Sequence, residues 1–233
     1  MTIPAPSAIR SIKTWDPGVR LFHWLLVAAI AVAFLSSEEG SALSPWHVPA
    51  GWMAAILIVF RLVWGLVGGE HARFVNLIRP SRMAGHVRGL FAGRVHASLG
   101  HNPLGGIAVL VLLALVAATA FTGITGGEGG HEAIAYVLLA MIALHVVAVV
   151  AMSFLTRDNL IGAMVTGRKK TTHFPNAQDA APPARLALPL AVLVVAGSAY
   201  AATRIDPQAF TPAVHGEAGE GGEGDEGGEA DED

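Results

Sequence analysis

The chain has 233 residues and no cysteine. Iron–sulfur clusters, disulfides and covalently attached c-type haem all need thiols, so none of them is open to it. Charge is scarce as well. Asp, Glu, Lys and Arg make up 14% of the residues, against about 25% in a soluble domain. With 53% hydrophobic residues, this is the composition of a membrane protein. No Gly-rich loop joins a strand to a helix, since the glycines fall in turns and in the C-terminal tail. Neither bound nucleotide nor a nucleic-acid partner is expected.

What the chain does have is ten histidines, its only nitrogen-donor metal ligands. Two of them bracket the stretch from His131 to His145, HEAIAYVLLAMIALH, in which only Glu132 is charged. At ~100° and ~1.5 Å per helical residue, fourteen steps bring the second imidazole to within ~40° of the first and ~21 Å along the axis. One helix face therefore carries an imidazole near each membrane surface. That pattern suggests two buried metal centres stacked across a bilayer.

Five apolar runs are long enough to cross a membrane: Val19 to about Ser37, Trp46 to about Val67, Leu104 to about Gly123, His131 to about Leu155, and Arg185 to about Thr203. Asp16-Pro17-Gly18 is a helix-start signal ahead of the first. An AVA near the end of that run resembles a signal-peptidase site, but the later spans and the internal His23-Trp24 favour an uncleaved anchor. The expected organisation is an all-α integral membrane protein. Residues 1–18 form an N-terminal segment, 19–170 a four-helix core, 171–184 a Pro- and Ala-rich linker, and 185–204 a fifth membrane helix. Residues 205–233 form a disordered acidic tail, with nine acids from Glu217 to Asp233 and no base.

Basic residues set the orientation. Three Lys/Arg lie in 1–20, five in 68–103 and five in 156–185, whereas 38–45 and 124–130 hold none. By the positive-inside rule the basic side, with the N-terminus, faces the cytoplasm, and the acidic tail lies outside. On this topology His23 and His145 share the cytoplasmic half, and His47 and His131 share the outer half. Intramembrane ionisable groups are costly and usually functional, and haem iron commonly takes axial imidazole. Two pairs at matched depth suit two bis-histidine haems b inside a four-helix bundle. A structural set of histidines, or a zinc or copper site, is the plainer alternative, although such metal sites gather three or four ligands around one ion.

The motifs WDPGVRLFHW at 15–24, GWMAAILIVFRLVWGLVG at 51–68, GHNPLGG at 100–106, the histidine pair of span four and GAMVTGRKK at 162–170 resemble the bacterial cytochrome b561 family. That family includes the b-type cytochrome subunit of nickel–iron hydrogenases. The resemblance covers about residues 12–170. It implies a membrane electron carrier with two non-covalent haems b, working between a quinone pool and a redox partner such as a c-type cytochrome or a hydrogenase subunit. The ligand positions it implies are His23, His47, His131 and His145, the set that depth selects. The fifth span and the acidic tail lie outside it.

Other residues carry secondary expectations. Arg61 lies fourteen residues after His47, so it could neutralise a propionate of the inner haem or simply snorkel to the interface. Arg20 is a second candidate for that role. His101, at the mouth of span three, could bind a quinone or pass its proton, with a pKa near neutrality. His71, His86 and His96 sit in a basic loop expected to rest on anionic lipid headgroups. Trp15, Trp24, Trp46, Trp52 and Trp64 fall near span ends and suit interfacial belts. The rival function is a transporter or metal-handling protein with a histidine relay.

Overall fold

The computed structural model describes residues 10–38, 41–77 and 97–213. The expectations for His86 and His96, for the arginines at 79, 82, 88 and 94, and for the tail beyond residue 213 lie outside the described residues. Five helices are long and apolar enough to cross a membrane. They are α1 (Pro17–Leu35), α2 (His47–Val67), α3 (Pro103–Ile124), α4 (Glu128–Thr156) and, after the short α5 (Leu160–Thr166), α6 (Ala187–Ile205).

Local chemistry accounts for the boundaries. Asp16 caps α1 by accepting from the Val19 amide at 3.0 Å, with Pro17 in the first turn. Asn102 does the same for α3, accepting from Gly105 at 2.6 Å ahead of Pro103. Asn159 caps α5, and Gly167, at φ 78°, ends it in the left-handed conformation. Helix α4 starts at Glu128, a turn earlier than the glycine cluster suggests. Gly126, at φ 74°, makes the turn, and the His131 amide donates to Gly127 O at 2.7 Å. His131 thus lies inside the helix, not at its opening.

Helix α2 is central. It packs against α1, α3 and α6, while α4 lies along α3 with no comparable run of contacts to α1 or α2. The core joins Phe22 and Ala29 of α1, Leu57 and Ile58 of α2, Leu113 and Val116 of α3, and Leu138 of α4. Side chains such as Leu21, Val147 and Leu193 point outward. Lipid tolerates such a surface because the backbone polar groups are satisfied within each helix.

The basic side is tied together by contacts distant in sequence. β1 (Ser11–Lys13) pairs antiparallel with β2 (Arg168–Lys170). The segment expected to be a linker is pinned: Ala180 N donates to Lys13 O at 2.9 Å, Ala181 N to Glu70 Oε2 at 3.0 Å and Ala184 N to Val67 O at 3.0 Å. On the opposite side the chain beyond α6 folds back before the acidic tail begins. Trp52 Nε1 donates to Asp206 Oδ2 at 3.0 Å, Ala209 is fully buried, and Ala213 N reaches Pro45 O at 3.2 Å. Residues 206–213, expected to belong to the disordered tail, are therefore docked beside the start of α2. In α6 it is alanines that are buried, at 187, 191 and 202, as close packing of small residues requires.

Candidate functional site

The clearest constellation is the His47–His131 pair, expected at the outer level. His47 comes from the first turn of α2 and His131 from the first turn of α4, and their ring centroids lie 6.0 Å apart at 82°. Each ring is held by a helix other than its own. His47 Nδ1 donates to Ala33 O of α1 at 2.9 Å, and His131 Nδ1 donates to Thr119 O of α3 at 2.9 Å. A carbonyl can only accept, so both Nδ1 atoms carry hydrogen and both Nε2 atoms keep a lone pair. That is the ligating form of imidazole, fixed in the way that partners beyond the ligand shell fix metal-bound histidines. Gly123 makes the approach possible, because a Cβ there would crowd His131 at 3.1 Å.

The spacing can be tested against a metal. Two imidazole nitrogens at ~2.0 Å from one ion place the ring centroids roughly 6 Å apart. The observed 6.0 Å fits one ion held between two rings. Among the described residues no group of three or more potential ligands gathers anywhere, which argues against a zinc- or copper-type cage.

The inner level is less closed. His23 of α1 and His145 of α4 are close enough for their charges to interact. His23 Nδ1 is buried and has no hydrogen-bond partner among the described residues. Unlike the rings of His47 and His131, this ring is not fixed by a backbone carbonyl.

Around this level lies a cluster that sequence reasoning saw only in pieces. Trp15 packs edge-on to His101, with centroids 4.8 Å apart, and to His71 at 6.0 Å. His71 belongs to this cluster, not to a headgroup-facing loop. His101 does not have the near-neutral pKa expected of it. Burial, then the charges of Arg61, His71, His145 and Lys169, hold it well below the ordinary imidazole value. It is neutral at pH 7 and offers hydrogen bonds, not a labile charge.

Arg61 does not snorkel. It is 2% exposed, its guanidinium lies 4.8 Å from the Phe74 ring and 5.9 Å from that of Phe22, and its Nη1 has no partner. Arg20 is engaged elsewhere: its Nε donates to Met164 O at 3.3 Å and its Nη2 to Val165 O, which satisfies the C-terminal carbonyls of α5. Trp15, Trp52 and Trp64 are buried, leaving Trp24 and Trp46 as the exposed indoles near span ends. Asp16 was legible as a cap only. It also accepts from Trp64 Nε1 at 2.9 Å and Gly69 N at 3.2 Å, and so binds α1, α2 and the following loop at one carboxylate.

A cysteine-free membrane bundle with facing, pre-oriented imidazoles has the donor set of a b-type cytochrome. A family model for prokaryotic cytochrome b561 matches residues 14–167, and the chain belongs to that family. With five helices long and apolar enough to cross a membrane, it is a multi-pass bacterial membrane protein. The chain is 30% identical over 124 residues to a "Probable Ni/Fe-hydrogenase B-type cytochrome subunit" of Azotobacter chroococcum mcd 1, and 29% identical over 124 residues to the protein of that name in Azotobacter vinelandii. Each match covers 42% of this chain and 52% of the relative, so the likeness spans about half of those proteins. No solved structure matches the chain.

Proposed function

We propose that the protein carries electrons across the membrane between a quinone and a redox partner through two haems b. His47 and His131 hold the outer haem, and His23 and His145 the inner one. The observation that supports this most is the outer pair, with two imidazoles at ligating distance and both Nδ1 atoms committed to backbone carbonyls. Each haem supplies a one-electron couple; the protein supplies everything that positions and tunes it. Ala33 and Thr119 fix the tautomers, the apolar helices exclude water, and the ~21 Å axial step between ligands on α4 sets the two levels. The basic side, with the N-terminus, is assigned to the cytoplasm.

The quinone is assigned to the His101 cluster at the inner level. There a neutral imidazole and the Trp15 ring can hold a quinone head by hydrogen bonding and edge contact. The partner at the outer level is a redox subunit; a hydrogenase subunit fits the names of the two relatives, and a c-type cytochrome is the other class considered. Family membership removes the support for the histidine-relay transporter.

The test uses purified protein in lipid, mixed anaerobically with a quinol. The ferrous haem b spectrum should develop, and His101→Ala should slow its appearance ~10-fold or more while leaving dithionite-reduced haem content unchanged. Quinol reduction at an unaltered rate in His101→Ala would remove the quinone from this cluster. Absence of a haem b spectrum altogether would remove the function.

A further inference from the structure

Resting on the two-haem reading, we infer that Arg61 is the counter-ion of a propionate on the inner haem, and that its charge raises that haem's reduction potential. Arg61 is 2% exposed, and Nη1 lacks a hydrogen-bond partner among the described residues. A guanidinium stays charged even when buried. Leaving such a charge unpaired inside a membrane bundle is strongly unfavourable, so an anion must reach it.

Among the described residues no carboxylate takes that place. The acid that Arg61 senses is Asp16, whose oxygens are committed to Val19 N, Trp64 Nε1 and Gly69 N. The ion pair found among the described residues joins Lys169 to Asp158, at 2.9 Å. The guanidinium is nevertheless held in place from two sides, by the rings of Phe22 and Phe74. Phe74 can lie there because residue 65 is glycine; a Cβ would run into its ring. A fixed, buried cation with no carboxylate bonded to it among the described residues is a prepared anion site.

Register places this site at the inner level. α2 and α4 both start on the outer side, and their outer histidines meet. Arg61 follows His47 by fourteen residues, and His145 follows His131 by fourteen. Equal steps on helices running the same way bring Arg61 to the depth of His145. His101 senses both. The anion could be a propionate carboxylate or a lipid phosphate. The propionate is favoured because the charge lies inside the bundle, covered by α1 and by the turn around Phe74, and not at its rim.

The test is a potentiometric titration of the purified holoprotein, with the inner haem identified as the one lost in His23→Ala. Arg61→Gln should leave both haems bound and shift the inner couple ~10-fold toward the oxidised form, about 59 mV for one electron. The outer couple should not move, and Arg61→Lys should retain most of the wild-type potential. Wild-type protein reconstituted with haem dimethyl ester, which removes the propionate charge and leaves that of Arg61, should shift the inner couple the opposite way, toward the reduced form, and combining the ester with Arg61→Gln should bring it back toward the wild-type value. If Arg61→Gln fails to hold haem, the ester experiment decides by itself. Unchanged inner potential with esterified haem overturns the inference. A shift in Arg61→Gln that needs added phospholipid assigns the charge to a lipid phosphate and overturns it too. Finding fewer than two haems defeats the underlying reading instead, a result visible before any titration.

Discussion

Replacing His23 or His145 with alanine removes one and the same haem from the purified protein, and replacing His47 or His131 removes the other. Each single variant should lose about half of the haem absorbance, because one imidazole does not hold a low-spin six-coordinate haem as two do. The outer half of this expectation rests on the 6.0 Å ring separation and the two Nδ1–carbonyl bonds. The inner half rests on the depth that His23 and His145 share and on their approach to one another. Difference spectra of the four variants make the check. Matching spectra for His23→Ala and His131→Ala would break the pairing, and loss of a haem in His101→Ala would break the ligand set.

The second large effect is on stability. Asp16→Ala removes a helix cap and leaves Trp64 Nε1 and Gly69 N without their acceptor, at three hydrogen bonds of 2.9 to 3.2 Å. The combined cost should be about 2–4 kcal/mol. The apparent melting temperature should fall by roughly 5 °C or more. Asp16→Asn should cost less, since one amide oxygen can still accept from Val19 and Trp64. Thermal unfolding followed through the haem band measures both. Equal melting temperatures for wild type and Asp16→Ala would mean that α1 and α2 are joined by packing alone.

The membrane helices were legible in the sequence because their signals are local. An apolar run of twenty residues needs no partner to be recognised, and fourteen-residue spacing fixes depth and face together. The structure bears this out for all five spans, with ends displaced by a few residues at most. What stayed hidden depends on contacts across the chain. Ser11 pairs with Lys170, and Lys13 N donates to Asp179, links that no periodicity encodes. Asp16 reads as a cap, but its bond to Trp64 spans 48 residues. Arg20 and Arg61 look alike in a sequence. One is satisfied by the carbonyls of α5 while the other is buried without a partner for Nη1, and only packing separates them. The docking of residues 206–213 was masked by the acidic composition that follows it. Trp52 and Asp206 lie 154 residues apart, and their hydrogen bond is invisible to local pattern.

The central claim is that two bis-histidine haems b occupy the two levels of this bundle. Haem quantified as its pyridine complex, against protein mass from amino-acid analysis, tests that most directly. The expected result is two haems b per chain, both released by acid acetone because no cysteine can anchor them. One haem per chain, or pigment that stays with the protein after extraction, would contradict it.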